Sequence, residues 1–223
     1  LPAGADRVVM QEHVTREGDV ALLREGYGPG FHVRAIASDF AAGDVLLAAG
    51  QRLTARAMVV AGAADVAAVT VTRQPRLALI ASGDELAEPG RAADRAYAIP
   101  NSLSGGIAAL AQAAGAVVVS RSICGDNLAQ LSGLAAVSAA EADVIVITGG
   151  ASVGERDFAR DAFAGLGRAM IFSKLAIKPG RPVWLAKLAG GALVLGLPGN
   201  PTSVMVTARL FLLPLLAGLQ GQT

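Results

Sequence analysis

The sequence predicts an α/β protein with a mostly parallel sheet, preceded by a β-rich N-terminal arm. From Arg76 onward, short apolar runs alternate with Ala- and Leu-rich stretches, a pattern typical of βαβ units. The chain is 53% hydrophobic but only 4% aromatic, so its core would consist of small aliphatic side chains, which suit helices packed closely on a parallel sheet. Glycine-rich segments follow several of the apolar runs, where strands would turn into helices.

The arm comprises residues 1–75, in which apolar runs alternate with Gly, Asp and Pro turns. One short helix is expected at 54–61. Arg73-Gln74-Pro75 precedes a buried strand, so the α/β domain is predicted at 76–219. The chain opens without an initiator Met or a signal pattern, and we expect it to start inside a longer polypeptide. The expected short strands of the arm are 7–10, 20–23, 45–47 and 66–71.

The periodicity of the α/β domain defines its elements. The sequences 183–188 and 192–197, separated by Ala189-Gly190-Gly191, predict a hairpin at one edge of the sheet. The predicted strands are 77–81, 116–123, 144–148, 170–177, 183–188 and 192–197. The predicted helices are 103–114, 128–141, 159–165 and 201–216.

Composition excludes several classes of function. Nineteen Lys and Arg balance 18 Asp and Glu, so no basic field indicates nucleic-acid binding. The single Cys124 excludes an internal disulfide and a multi-cysteine zinc site, fits a cytoplasmic protein, and is expected to be a buried free thiol. The apolar stretch 203–219 contains an arginine and a proline and is short for a span of about 20 residues, so no membrane helix is predicted.

Two glycine-containing loops follow predicted strands, where ligands of open α/β sheets bind. Gly149, Gly150 and Gly154 surround Ser152 after the strand 144–148, and such glycines let the backbone approach an anion. The second loop is Gly-Leu-Pro-Gly-Asn-Pro-Thr-Ser at 196–203, in which the hydroxyl and free amides of the first helical turn would receive an oxyanion. The structural alternative for the second loop is a helix cap formed by Asn200.

Charged residues follow other strands. Lys174 and Lys178 would share one face of the strand 170–177, with Arg181 on the next turn, and three converging cations suggest an anionic ligand. Ser-Gly-Asp-Glu-Leu at 82–86 follows the first strand of the domain. Its two carboxylates, together with Asp126 and Asp157 after later strands, would suit Mg²⁺, which prefers oxygen ligands. Acidic residues at solvated helix starts are the alternative for each carboxylate alone.

Four segments, in chain order 82–86, 148–157, 174–182 and 196–203, closely resemble the molybdopterin molybdenumtransferase family, which includes MoeA and the gephyrin E domain. The resemblance runs from about residue 1 to 220 and is most specific at 148–157, 174–182 and 196–203. It implies a three-layer α/β/α, MogA-like molybdopterin-binding domain. It also implies an enzyme of molybdenum cofactor biosynthesis that inserts molybdate into adenylylated molybdopterin and releases AMP with the assistance of Mg²⁺.

The resemblance assigns roles to matching positions. It further implies a cytoplasmic homodimer, a molybdopterin-type small molecule as substrate and a MogA-like partner protein. The implied catalytic residues are Glu85, Asp126, Asp157, Lys174 and Lys178. The implied ligand- or molybdate-binding residues are Gly149, Gly150, Ser152, Gly154, Arg181, Pro198, Gly199, Asn200, Pro201 and Ser203. The implied metal ligands are Asp84, Glu85 and Asp157.

Two motifs depart from the family pattern. The family has Arg-x-x-Gly-Glu-Asp where this chain has Arg34 followed by Ala35-Ile36-Ala37-Ser38-Asp39, and Asp-Ser/Thr-Asn where this chain has Ile99-Pro100-Asn101. Arg181 replaces a usual Lys and keeps the charge. The departures leave open a catalytically impaired MoeA-like binding or scaffold protein. A MogA-like molybdopterin adenylyltransferase is a second alternative, because such relatives share versions of Lys-Pro-Gly-Arg and Gly-Leu-Pro-Gly-Asn-Pro. The 75-residue arm favours the insertion enzyme over the adenylyltransferase.

Overall fold

The computed structural model describes residues 1–149 and 158–222. Contacts within the chain divide it into two compact units. The first unit comprises Leu1–Ala49 and Leu53–Ala67, and the second comprises Gly50–Arg52 and Ala68–Thr223.

The first unit contains a hairpin and a helix. Strand β1 (Val14–Glu17) pairs antiparallel with β2 (Val20–Leu23), and α1 (Ala55–Ala63) is capped by Thr54, whose hydroxyl accepts the N–H of Ala57 at 3.3 Å. The strand predicted at 20–23 and the helix predicted near 54–61 are thereby confirmed. The apolar runs 7–10, 45–47 and 66–71 do not form strands, which corrects the sequence prediction.

The second unit is built on a six-stranded sheet with the order β6-β3-β7-β10-β9-β8, beside which β4 pairs with β5. Strands β6, β3, β7 and β10 are parallel, whereas β9 is antiparallel to both β10 and β8. The predicted mostly parallel sheet is confirmed. The strands are β3 (Arg76–Ser82), β4 (Leu86–Ala87), β5 (Ile99–Pro100), β6 (Val117–Cys124), β7 (Val144–Gly149), β8 (Ala169–Phe172), β9 (Trp184–Lys187) and β10 (Leu193–Leu197).

Helices cover both faces of this sheet. A π-helical turn, Ala208–Leu212, joins the last two helices, and single 3₁₀ turns occur at Gln11–His13, Ala92–Asp94 and Ala164–Leu166. The described helices of the second unit are α2 (Ser102–Ala113), α3 (Leu128–Glu141), α4 (Phe158–Asp161), α5 (Pro201–Thr207) and α6 (Leu213–Leu219).

Successive residues of the central strands point to opposite layers, which explains the continuous apolar runs. Ala78 and Ile80 pack in one core cluster with Leu131 of α3, whereas Leu77 belongs to the other cluster with Ile107 of α2. Helices on both faces therefore bury the whole width of β3, and the predicted three-layer α/β/α arrangement is confirmed.

The continuous helical segment formed by α5, the π-helical turn and α6 is apolar enough to raise the question of a membrane span. By length and composition alone, Pro201–Leu219 in the described chain would suffice, with 19 residues and a mean hydropathy of 1.7. One side of this helix, however, is buried on the sheet: Val204, Ala208, Leu212 and Leu216 share a core cluster with strand residues. In total, 28% of the apolar window of this segment is buried in the described structure.

Two predictions for the antiparallel part of the sheet are wrong. The strand predicted at 170–177 ends at Phe172, because the chain turns back and the Leu175 N–H donates to the Arg181 carbonyl at 3.1 Å. The hairpin of β9 and β10 forms as predicted, but it does not lie at the edge, since β8 adds to the outer side of β9. Hydrophobic periodicity indicates local structure only, so the sequence pattern gives no sign that β8 pairs with β9.

Asp143 immediately precedes β7 and forms hydrogen bonds with the first residues of β3 and β10. Its carboxylate accepts both Arg73 Nη1 and Nη2 at 2.6 Å and the Arg76 N–H at 2.8 Å. Its backbone N–H donates to the Arg76 carbonyl, and its carbonyl accepts the Leu193 N–H, each at 2.8 Å. The hydrogen bonds from Arg73 hold the pKa of Asp143 below its usual value.

This carboxylate predicts a pH dependence of stability. A group whose pKa is lowered by folding stabilises the protein above its unfolded pKa of about 3.9, and that contribution is lost as the pH falls through the folded pKa. We expect Asp143→Asn to lower the free energy of unfolding by about 1 kcal/mol or less at pH 6, since the ion pair is partly exposed. The difference from the parent protein should shrink as the pH falls below 4. Urea unfolding between pH 3 and 7, with Glu141→Gln as the control, measures it, and a difference that does not change with pH would contradict the assignment.

Candidate functional site

A cavity of about 90 Å³ lies at the carboxyl edge of the parallel strands. Ser82 ends β3, Gly149 ends β7 and Gly199 follows β10, and all three line the cavity. Because these strands are parallel and adjacent, their carboxyl ends meet at one edge. Glu85, Thr148 and Pro201 contribute further to the lining. The structure therefore brings together the segment 82–86, the loop 196–203 and the described start of the glycine loop that follows β7.

Close backbone packing explains one glycine of this edge. Gly149 has a φ of +80°, which non-glycine residues rarely adopt, and a Cβ added to it would overlap the Ser82 carbonyl oxygen. Gly199 is less constrained, since a Cβ there would meet Gly149 Cα at an ordinary 3.8 Å. Gly149 is thus required where β7 approaches β3.

The start of α2 forms a second wall, which the sequence analysis missed. Asn101 lines the cavity, is 8% exposed, and caps α2 by accepting the Ser104 N–H at 3.3 Å. Its own N–H donates to the Ala87 carbonyl at 2.8 Å, which fixes the entry into the helix. An Asn two residues before the helix predicted at 103–114 is an N-cap signal that could have identified this wall.

The rest of this wall is apolar. Leu86, Ile99, Pro100 and Leu103 line the cavity, and Leu86 faces Ile99 across the pairing of β4 with β5. Ile99 stands where the family pattern has an acid, so this wall contributes no charge at that position. The Ile99 N–H donates to the Glu85 carbonyl at 2.8 Å and so anchors the turn that carries Glu85.

Two further acidic residues lie where β3 and β6 end. The Asp84 carboxylate accepts the Asp126 N–H at 3.0 Å, and Ser82 Oγ donates to the Asp126 carboxylate at 3.4 Å. Cys124, the last residue of β6, is a buried free cysteine, as predicted. Burial raises the pKa of its thiol, and the negative charges of Asp126 and Asp84 raise it further.

The loop before α5 is capped as in the structural alternative. Asn200 Oδ1 accepts the Ser203 N–H at 3.3 Å, and Pro201 occupies the first turn of the helix. The cap occupies the Ser203 N–H, but the hydroxyl of this half-buried residue and the other amides of the first turn stay candidates for an oxyanion site. Pro198 is buried beneath the loop.

The cationic segment forms a turn instead of a strand. Lys174, Lys178 and Arg181 are exposed, and the Lys178–Pro179 peptide bond is cis. The premise that alternation on a strand places Lys174 and Lys178 on one face is wrong, since the strand ends before them. These three cations are not among the described residues that line the 90 Å³ cavity.

Several predicted site residues lie outside the described part of the chain, namely Gly150, Ser152, Gly154 and Asp157. Predictions that concern them stay predictions. Within residues 1–149 and 158–222, no group of three or more His, Cys, Asp or Glu side chains could hold a metal ion.

The altered motif of the first unit keeps its charged ends. The Arg34 guanidinium donates to the Asp39 carboxylate. Ala37, which replaces the glycine of the family pattern, has a φ of 62°, in the left-handed region that glycine favours. The backbone conformation at this position is thus one that a glycine would adopt without strain.

Family comparisons agree with this geometry. Residues 78–218 match the family described as "Probable molybdopterin binding domain", and residues 1–66 match the "MoeA N-terminal region (domain I and II)". The chain belongs to the molybdopterin molybdenumtransferase family. Membership in this family confirms the resemblance that the sequence motifs indicated.

Curated members of the family resemble the whole chain. The molybdopterin molybdenumtransferase of Haemophilus influenzae is 34% identical over 223 residues, which are 100% of this chain and 54% of that protein. Molybdopterin molybdenumtransferase 2 of Mycobacterium tuberculosis H37Rv is 34% identical over 226 residues, 99% of this chain and 55% of that protein. The chain therefore spans about half the length of the curated relatives it matches.

Solved structures of the family share the fold. A molybdopterin biosynthesis MoeA protein from Pyrococcus horikoshii superposes with a TM-score of 0.80 at 28% identity, covering 100% of this chain and 55% of that one. Another solved structure, of a molybdopterin biosynthesis MoeA protein from Pyrococcus horikoshii OT3, has a TM-score of 0.73 at 26% identity, covering 99% of this chain and 52% of that one.

Proposed function

We propose that this chain is the arm and ligand-binding part of an enzyme that inserts molybdate into adenylylated molybdopterin and releases AMP. The observation that carries the proposal is the meeting of Ser82, Gly149 and Gly199 in one cavity at the carboxyl edge of the sheet. Membership in a family whose curated relatives are named molybdopterin molybdenumtransferases supports it. The proposed domains are 1–75 for the arm and 76–219 for the ligand-binding domain.

The proposed chemistry is the stabilisation of anions. Backbone N–H groups in the first turn of α5 and cations of the turn 174–181 would offset the charge of molybdate and of the ligand's phosphates. Glu85, Asp126 and Asp157, together with Lys174 and Lys178, are the proposed catalytic residues. The proposed ligand-binding residues are Gly149, Gly150, Ser152, Gly154, Arg181, Pro198, Gly199, Asn200, Pro201 and Ser203.

Mg²⁺ is part of this proposal. Glu85 lines the cavity, and carboxylate oxygens suit this ion, but the described residues do not by themselves provide three converging ligands. Asp157 and phosphate oxygens of the bound ligand would have to complete the site. When bound, Mg²⁺ would neutralise charge on the leaving phosphate.

The proposal extends to the setting of the enzyme. By family membership, we propose a cytoplasmic homodimer that works with a MogA-like partner protein supplying the adenylylated substrate. No nucleic acid or membrane is involved in this scheme.

Molybdate-dependent release of AMP from adenylylated molybdopterin by the full-length parent tests the function. We expect Lys178→Ala to lower the rate about ten- to a hundredfold, since a hydrogen bond to a charged group contributes about 1.5–3 kcal/mol. Lys187→Ala is the matched control, because Lys187 pairs with Leu193 at the opposite end of β10. Equal rates for the two variants would contradict the assigned role of Lys178.

The same assay separates the alternatives. A scaffold protein would bind the adenylylated substrate without releasing AMP. This outcome needs a test because Ile99 of the cavity wall stands where the family pattern has an acid. A MogA-like adenylyltransferase would instead form the adenylate from ATP and molybdopterin. Either result would overturn the insertion activity.

A further inference from the structure

Three hydrogen bonds join the end of β3 to the end of β6. The Gly83 N–H donates to the Cys124 carbonyl at 3.0 Å. The Asp126 N–H donates to Asp84 Oδ1 at 3.0 Å, and Ser82 Oγ donates to Asp126 Oδ1 at 3.4 Å. Both the backbone and the carboxylate of Asp126 are therefore held by residues of the β3 end.

From these contacts we infer that Asp84 and Ser82 are positioning residues that orient the Asp126 carboxylate, and that Asp84 is not a ligand of the metal. The inference rests on the proposed function, because the role of Asp126 in the reaction is itself proposed. It replaces the family-based expectation that Asp84 binds Mg²⁺.

Close packing around Asp84 supports a structural role for its carboxylate. A Cβ added to Gly125 would lie 2.5 Å from Asp84 Oδ1, so the carboxylate rests directly against the backbone after β6. A carboxylate used in this way satisfies an amide N–H that would otherwise lack a partner, much as an acidic side chain caps a helix.

The turn that carries Asp84 is itself fixed. The Arg95 guanidinium donates to the Asp84 carbonyl at 2.7 Å and to the Leu86 carbonyl at 2.9 Å. These bonds flank Glu85, which faces the cavity. Adjacent side chains of the same turn thus have different tasks: Glu85 faces the ligand cavity, and Asp84 holds the neighbouring loop.

Two substitutions at one position distinguish positioning from metal binding. Asp84→Asn keeps an oxygen that can accept the Asp126 N–H but removes the charge that a metal ligand needs, whereas Asp84→Ala removes both. For a positioning role we expect Asp84→Ala to lower the rate of AMP release by the full-length parent about tenfold or more, since an unsatisfied donor costs about 1–3 kcal/mol. Asp84→Asn should show a clearly smaller loss, and its half-maximal Mg²⁺ concentration should stay within about twofold of the parent value.

A second measurement does not depend on activity. Hydrogen exchange of the Asp126 amide should accelerate in Asp84→Ala and stay close to the parent rate in Asp84→Asn and in the control Glu141→Gln. If Asp84→Asn is as impaired as Asp84→Ala and needs about tenfold more Mg²⁺, Asp84 is a metal ligand and the inference fails. If the parent releases no AMP, the proposed function fails, while the exchange rates still decide whether Asp84 holds Asp126.

Discussion

Replacing Gly149 with alanine is expected to destabilise the second unit by about 2–5 kcal/mol. The left-handed backbone costs a non-glycine residue about 1–2 kcal/mol, and overpacking adds about 1–3 kcal/mol. Both costs apply at this position, because φ is +80° and the new Cβ would overlap the Ser82 carbonyl oxygen. Relief of the overlap would require β7 to move away from β3, which would also widen the cavity that both strands line.

Urea unfolding measures this effect, and Gly190→Ala is the matched control. A Cβ added to Gly190 meets nothing within 4 Å, so that variant should change the free energy of unfolding by less than about 0.5 kcal/mol. Equal unfolding midpoints for the two variants would show that the close approach of β7 to β3 is not a constraint on the fold.

Strands and helices with strong local patterns were predictable from the sequence. The runs at 77–81 and 144–148 are almost entirely apolar because helices bury both faces of the sheet, and such runs indicate central strands. The run 66–71 is equally apolar, yet it forms no strand. A strand also needs a partner, and composition does not reveal one.

The cationic segment shows the same limit at the site. Lys174 and Lys178 are four residues apart and would share one face of a strand, but the hydrogen bond from the Leu175 N–H to the Arg181 carbonyl closes a loop instead. That hydrogen bond joins residues six positions apart, and the two-residue periodicity of a strand gives no sign of it.

The site was predictable where backbone topology decides it. Parallel strands bring their carboxyl ends together whatever their side chains, so Gly149 and Gly199 were expected to meet. The tasks of neighbouring side chains were not predictable, because Asp84 and Glu85 are both acidic and only their surroundings distinguish them. The sequence could not reveal that Asp84 accepts the Asp126 N–H.

Gly196→Ala is expected to lower the free energy of unfolding by about 3 kcal/mol, at the upper end of the usual cost of overpacking. Gly196 lies directly opposite Trp184 in the pairing of β10 with β9, and a Cβ added to Gly196 would overlap the Nε1 and Cε2 atoms of the indole. The ring has little room to move, since Trp184 is 1% exposed and packs edge-on against Phe163 at a centroid distance of 6.3 Å. An aromatic side chain that covers a glycine on the paired strand is a known stabilising arrangement in β-sheets.

A double-mutant cycle identifies the cause of this loss. Trp184→Leu alone should cost about 2–4 kcal/mol through lost burial, but it removes the atoms that the new methyl group would overlap. The double variant Gly196→Ala/Trp184→Leu should therefore be more stable than the sum of the single effects predicts, by about 1–3 kcal/mol. Additivity within about 0.5 kcal/mol would mean that the indole does not exclude a side chain at 196. Gly196 and Trp184 are also connected to the candidate site. Strand β10 leads into Gly199, which lines the cavity. The Arg160 guanidinium lies 5.8 Å from the centroid of the Trp184 ring and donates to the Ser173 carbonyl at the start of the cationic turn.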